Sequence, residues 1–301
     1  MIGDMKKYKV VLVGPCIGEM YWEFARFAPY VIWKRKNEYK SSNIKFVVLS
    51  RPEMFDLYSG CANVFIPLKI PGDGSVYKPN CFRLDDFPKE AYDFIIKSFK
   101  DMYSKYDILE HLKPDISIRK FLNKNQFPKN RLLFNYQTRP DNLKFLQTRL
   151  DDREVIILGP RYRKGMKRNW PYWQHLYDLI FDNKRLIDRY NFIICGKYPD
   201  YVPDKYGRFL DINNITINEQ ASLIGLTIEA IKKAKLTIGS QSAIPNISLL
   251  FKVPVLEWGH QKQLHTIEYN IHKTKVTFVE DMNYTIVPEV IYQEILRLIG
   301  D

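Results

Sequence analysis

The chain has little cysteine. Cys16, Cys61, Cys81 and Cys195 are all that its 301 residues contain, and no two stand in Cys-x-x-Cys spacing. That scatter argues against a zinc site or a dithiol redox motif and makes a reduced, cytoplasmic protein the expectation. Long apolar runs are missing too. No stretch approaches the ~20 apolar residues of a membrane span, so no integral membrane contact is expected. The short apolar run in "MIGDMKKYKVVLVG" reads as a first strand rather than a signal peptide. Two phosphate motifs are also absent. There is no Gly-x-x-x-x-Gly-Lys-Ser/Thr, and no Gly-x-Gly-x-x-Gly follows the first strand. A P-loop is therefore excluded, and a dinucleotide oxidoreductase has little support.

What is present is an ordinary globular composition, 46% hydrophobic and 27% charged, in a chain long enough for one large or two ordinary domains. The net charge of +12 favours acidic partners: nucleic acid, an anionic membrane surface or phosphorylated small molecules. A lysine-rich solvated surface is the plainer account of the same charge.

Apolar patterning alternates strand and helix in both halves. In the first half, "KYKVVLVG", "NIKFVVLS" and "NVFIPLKI" read as buried strands. "EMYWEFARFAPYVIWKRK" and "KEAYDFIIKSFKDMYSKY" read as helices, the former bent or interrupted at Pro29. The segment 112–152 is rich in Lys, Asn, Arg and Pro, and a domain boundary is expected near its end. The second half repeats the pattern. "REVIILG", "NFIICG", "LTIGS" and "VPVLEWG" are strands, while "WPYWQHLYDLIFDNKRLIDRY", "SLIGLTIEAIKKAK", "SAIPNISLLF" and "VPEVIYQEILRLIG" are helices. This alternation implies parallel sheets covered on both faces. The economical model is an α/β protein of two Rossmann-like domains facing a cleft. The loops "GPCIG", "GPRYRKGMKRN", "GKYPD", "GSQSA" and "EWGH" all follow strands, so all are expected at carboxyl ends, where such sheets bind ligands.

Two of these loops suit an anion. "GPRYRKGMKRNWP" carries five cations, Arg161, Arg163, Lys164, Lys167 and Arg168, between a strand and a helix. Guanidinium forks match phosphate oxygens, and lysines add point charges. In "LTIGSQSAIPN", Gly239, Ser240, Gln241, Ser242 and Ala243 join a strand to a helix whose free amides and dipole favour negative charge. A solvated basic turn and a serine-rich helix cap are the plain alternatives. Together the two loops suit a diphosphate. In the first half, Glu19 follows "GPCIG" and Glu23 lies one turn further on. Either carboxylate is placed to accept a proton from a hydroxyl, against the alternatives of a dipole-favoured acid for Glu19 and a salt-bridged helix residue for Glu23.

The order of these pieces resembles the GT-B glycosyltransferases of the heptosyltransferase type, glycosyltransferase family 9. The stretches that carry the resemblance are "VVLVGPCIGEMYWEFARFAP", "RKGMKRNWPYWQHL" and "TIEAIKKAKLTIGSQSAIPNISLLFKVPVLEWG". The resemblance implies an acceptor-binding domain over 1–150, a nucleotide-sugar-binding domain over 151–285, and a closing helix over 286–301 that packs back on the first domain. It implies metal-independent transfer from a nucleotide-diphosphate sugar, with no further cofactor. The family's catalytic Asp maps onto Glu19 by the loop and onto Glu23 by counting back from Pro29; the loop spacing favours Glu19. Its Asp-Ser-Gly turn becomes Gln241-Ser242-Ala243, its following His becomes Asn246, and its phosphate-binding Lys falls at Lys167 or Arg168. Basic side chains would then offset the charge on the leaving diphosphate. Trp170 and Pro171 would anchor the loop to the next helix. Glu257 and Gly196 are placed as contacts to the nucleoside or sugar, while a packed Trp258 and a surface His260 are the plainer readings of those two.

The family's usual acceptor is a lipopolysaccharide core. This chain is basic and rich in Lys, Asn, Ile, Tyr and Phe, as in AT-rich phage and viral genomes, where some GT-B enzymes glycosylate hydroxymethylated DNA bases. "WKRK" (33–36), "IRKFLNKNQFPKNR" (118–131) and "NYQTRPDNLKF" interleave cations with aromatics in a way that suits a nucleic-acid backbone and an extruded base. The reading leans to a DNA acceptor over a surface glycan. A non-catalytic nucleotide-sugar binder and an epimerase remain as other classes.

Overall fold

The structure is a computed structural model and describes residues 8–17, 23–68, 88–114, 140–162, 169–196, 209–212, 223–268, 270 and 272–300. The chain forms two compact units, Met1–Gln137 and Thr138–Asp301.

The first unit runs β1 (Lys9–Cys16), α1 (Ala28–Asn37), β2 (Ile44–Ser50), α2 (Phe55–Tyr58), β3 (Val64–Pro67), α3 (Lys89–Met102) and β4 (Asp107–Leu112). Its sheet has the order β3-β2-β1-β4 and every neighbouring pair is parallel. β1 is buried at all but its first residue, as a central strand covered on both faces must be. A π-helical turn, Glu23–Phe27, leads into α1, and Pro29 falls in the first turn of α1, where its missing N–H costs no hydrogen bond. α3 is half solvated. It packs through Phe99, which with Tyr103 meets Val10, Leu12, Val47 and Leu49.

The second unit runs α4 (Pro140–Gln147), β5 (Glu154–Gly159), α5 (Trp173–Asp182), α6 (Lys184–Arg189), β6 (Tyr190–Ile194), β7 (Phe209–Asp211), α7 (Leu223–Lys233), β8 (Ala234–Ser240), α8 (Ala243–Leu250), β9 (Val255–Gly259), β10 (Val276–Glu280) and α9 (Pro288–Ile299). The sheet is parallel throughout, in the order β10-β9-β8-β5-β6-β7. From β5 the chain builds outward through β6 and β7, then returns through α7 to β8 on the other side of β5. The strand order therefore reverses between β5 and β8, which makes that gap the ligand-binding crevice of such a sheet.

Two expectations about this half are corrected. The stretch after Pro171 is not one helix. Asn183 is extended (ψ 96°), and its Oδ1 accepts the N–H groups of Arg185 and Leu186, which ends α5 and caps α6. α9 packs on α5 and buries Ile291, Ile295 and Ile299 in the second core. The unit also begins ahead of residue 151, because α4 packs on α7.

Three tryptophans centre this core. The rings of Trp170, Trp173 and Trp258 lie 4.8–5.3 Å apart, centroid to centroid, and all three are buried. Such aromatic contacts add to the apolar area removed from water. Trp170 Nε1 also donates to Ile286 O at 2.8 Å, so the end of the basic loop is tied both to the core and to the lead-in of α9. Ile295 has no exposed surface, and Ile295→Ala should lower stability by about 2–5 kcal/mol in urea unfolding. A cost well under 1 kcal/mol would show that α9 is not part of this core.

Candidate functional site

The carboxyl edge of the second sheet gathers the candidate residues. Gly159 pairs with Gly239, Ser240 with Trp258 and Gly259 with Glu280, so the segments after β5, β8, β9 and β10 leave from adjoining strand ends. A Cβ at Gly159 would stand 3.0 Å from Ile244 Cγ2, and one at Gly239 would stand 2.9 Å from Pro245 Cγ. These glycines let the first turn of α8 press against the two strands at the point of reversal.

The two anion-suited loops meet there. Arg161 Nη1 donates to Gln241 O at 2.9 Å. Gln241 is buried and bonded through its other groups as well. Its N–H donates to Trp258 O at 3.0 Å. Its Oε1 accepts from His260 N at 3.1 Å and from Tyr284 Oη at 2.7 Å. Gly259, at φ +152°, passes so close that a Cβ there would lie 2.5 Å from the Gln241 side chain. Ser240 is fully buried, while Ser242 is partly exposed and leads into Ala243, the first residue of α8. The hydroxyl of Ser242 makes no cap bond among the described residues, and Asn246 Nδ2 donates to Ser242 O at 2.9 Å. Of the basic loop, Arg161 is described; Arg163, Lys164, Lys167 and Arg168 lie outside the described residues.

Glu257 is not a surface residue. It has no exposed area, and neither of its carboxylate oxygens receives a well-aligned hydrogen bond among the described residues. His265 Nδ1 lies 2.9 Å from Glu257 Oε1, an ion pair whenever the imidazole is protonated. Burial raises the Glu257 carboxyl above its ordinary range, and His265 and the Ser242 amide oppose that rise. The residue is thus an inward-facing carboxyl beside His265. Gly196 is fixed by sterics, since a Cβ there would stand 2.1 Å from Pro160 O. Only glycine lets the ends of β5 and β6 run this close. Neither Tyr284 nor His265 carries a spacing signal in the sequence. Both reach the site through segments beyond β9.

In the first unit, Glu23 is buried and fully engaged. Its Oε1 accepts from Ser50 Oγ at 2.5 Å and Tyr58 Oη at 2.9 Å, and its Oε2 pairs with Arg51 Nη2 at 3.0 Å. Cys16 Sγ lies 3.6 Å from the same tyrosine oxygen, and burial pushes this thiol well above its usual pKa. Glu19 lies outside the described residues. The cations of "WKRK" serve the fold. Lys34 Nζ pairs with Glu38 at 2.6 Å and Glu110 at 3.3 Å. Arg35 Nη1 donates to Tyr39 O and Ile44 O, and its guanidinium lies 5.3 Å from the Phe46 ring centroid. Residues 118–131 lie outside the described residues, and Pro140 onward belongs to α4. Among the described residues no group of three His, Cys, Asp or Glu is placed to hold a metal ion, and no helix is long and apolar enough to cross a membrane.

Each unit is built on a parallel sheet flanked by helices, an α/β fold. Solved structures share that fold over nearly the whole chain. The glycosyl transferase family 9 protein from Veillonella parvula DSM 2008 matches over 98% of both chains with a TM-score of 0.55 at 10% identity. The E. coli ADP-heptose lps heptosyltransferase II matches over 97% of this chain and 98% of its own, with a TM-score of 0.53 at 14% identity. At such identities the likeness is one of fold. No family model matches the sequence, and no curated protein matches it.

The buried Glu257 carboxyl gives a pH test. Its pKa is raised on folding, so the folded chain holds this proton above the ordinary glutamate value of 4.5 and loses stability as pH rises through the raised value. Glu257→Gln should therefore gain on the unaltered protein in urea midpoint between about pH 5 and about pH 8. A constant difference across that range would mean that the carboxyl does not titrate in a shifted range.

Proposed function

We propose that this protein transfers a sugar from a nucleotide-diphosphate donor to an acceptor hydroxyl, and that the donor's diphosphate binds at the reversal point of the second sheet. The supporting observation is the Arg161–Gln241 contact, which brings the basic loop to the start of α8 in the crevice where sheets of this order hold phosphates. Shared fold alone does not specify chemistry, so the chemistry is read from this site. In the proposed reaction the acceptor oxygen forms a bond to the sugar's anomeric carbon as the bond to the diphosphate oxygen breaks. Negative charge grows on the departing diphosphate, and Arg161 with the cations of 163–168 stabilises it. These fixed positive groups take the part a divalent ion plays elsewhere, so transfer is metal-independent in this reading. The acceptor's proton passes to a carboxylate of the first unit. Glu23 already accepts from three donors, which favours Glu19 as the base.

We assign the acceptor to a glycan hydroxyl rather than to a hydroxymethylated DNA base. The observation that favours this is that Lys34 pairs with Glu38 and Glu110 and Arg35 donates to Tyr39 O and Ile44 O, so two of the three cations in one stretch that had suggested DNA are engaged within their own unit. The experiment is transfer from ADP-, UDP- and GDP-activated sugars to lipopolysaccharide core oligosaccharide and, in parallel, to hydroxymethylcytosine DNA, with and without EDTA. Transfer to the oligosaccharide, insensitive to EDTA, is expected. Transfer to the DNA alone would reverse the acceptor assignment, and loss of transfer with EDTA would defeat the metal-independent mechanism. Arg161→Ala should weaken nucleoside diphosphate binding about 10- to 100-fold by calorimetry, the scale of a charge-assisted phosphate contact. Unchanged affinity would remove Arg161 from the phosphate site.

A further inference from the structure

A cavity of about 250 Å³ opens at the amino edge of the first sheet, on the face that α3 covers. α3 ends at Met102, and the link to β4 brings Tyr103 and Tyr106 to 5.8 Å between ring centroids beside the opening. Tyr8, the residue before β1, supplies a third aromatic ring, and the buried Val10 and Val47 supply apolar surface. Two polar side chains complete the lining. Lys45 is the second residue of β2, and its Nζ lies 4.4 Å from the Tyr8 ring centroid, a cation–π contact. It makes no ion pair among the described residues. Asn63 stands just before β3, and its Oδ1 accepts from Phe46 N at 2.9 Å. A backbone N–H only donates, so this contact fixes which end of the amide is oxygen and leaves the amide nitrogen as a donor.

A cation and an amide donor around aromatic and apolar walls select a ligand of matching chemistry. The negative faces of tyrosine rings attract the weakly positive C–H faces of a saturated ring. Lys45 and Asn63 Nδ2 call for acceptor oxygens, and Lys45 favours a charged one. At ~30 Å³ per water the cavity has room for roughly eight waters, the space of a single sugar ring and too little for a nucleoside diphosphate. Its position excludes it from the crevice where such sheets bind substrates, which lies at the carboxyl ends of the strands. β1 has eight residues, and at ~3.3 Å per residue the two edges of this sheet are about 25 Å apart. We propose that this cavity is a second ligand site, which holds one anionic sugar ring, charged through a carboxylate or a phosphate, away from the reacting edge. Such a site retains a larger glycan by one of its remote residues and raises the effective concentration of the rest. The binding step belongs to the first unit alone and goes beyond the donor-site reading above.

The test is a titration of the full chain followed by proton–nitrogen NMR, with methyl glucuronide, glucose 6-phosphate, the neutral methyl glucoside and AMP as probes. At least one charged sugar should shift the amide signals of Val10, Lys45 and Asn63 and bind about tenfold more tightly than the glucoside, the scale of one charge-assisted contact. Preference for the glucuronide identifies the charge as a carboxylate, and preference for glucose 6-phosphate identifies it as a phosphate. Lys45→Met keeps the apolar stem and removes the charge, so it should bring the charged sugar down to the affinity of the glucoside while the rest of the spectrum shows an intact fold. Tyr8→Ala should weaken charged and neutral sugars alike. Equal affinity for charged and neutral sugars, no binding of any sugar, or shifts confined to signals away from these residues would overturn the site. So would a Lys45→Met protein that binds as the unaltered one does. Tighter binding of AMP with the same dependence on Lys45 would replace the sugar with a nucleotide and overturn the assignment. None of these probes carries a diphosphate, so each of these failures leaves the donor-site reading standing, and failure of nucleoside diphosphates to bind leaves this site standing.

Discussion

One buried amide side chain organises the candidate site. Gln241 receives Arg161 on its backbone oxygen, donates to Trp258 from its backbone nitrogen, and takes His260 and Tyr284 on its side-chain oxygen. Those partners follow β5, end β9, or follow β9 and β10, so the segments at these strand ends are held in register by one residue. A buried network of this kind is demanding. In a low-dielectric interior each bond made is stronger than in water, and each polar atom left without a partner costs more. The close passage of Gly259 and the left-handed Tyr284 are local costs that the network sustains.

The first unit uses the same physics with a charge at its centre. The Glu23 carboxylate ties the end of β2, through Ser50 and Arg51, to α2, through Tyr58. Breaking one partner of such a buried pair leaves the other charge uncompensated, which costs far more than losing a surface ion pair. Glu257 is the second unit's buried acid, a carboxyl with no exposed area beside His265. A buried acid that resembles a catalytic group in the sequence, Glu23, thus serves in part as a fastener. The basic loop is fastened differently, by an apolar anchor. Trp170 is buried against Trp173 and Trp258, which fixes the loop's end.

The turn after β8 shows how a site can keep its place while its side chains change roles. Where the resembled family has Asp-Ser-Gly, this chain has Gln241-Ser242-Ala243. The Gln241 side chain turns inward to the network. In the proposed donor site, recognition of the diphosphate falls to Arg161 and the cations of 163–168.

The strands β1, β2, β3, β5, β6, β8 and β9, the alternation that makes two parallel sheets, and the position of the basic loop were legible from local pattern, whereas β4, β7 and β10 were not. Buried parallel strands are continuous apolar runs, and a loop that follows a strand must leave from its carboxyl end. The break at Asn183 was not legible, because it is a cap inside what reads as a continuous apolar stripe. Tertiary structure alone decided which distant groups would meet. It sent α9 to α5, turned Glu257 inward to His265, spent Lys34 and Arg35 on their own unit, and joined Tyr284 to Gln241. Periodicity records which face of an element is buried. It carries no record of the partner on the other side, because partners far apart in the chain are matched by packing and by the need to satisfy buried polar atoms, and both of those exist only once the chain has folded.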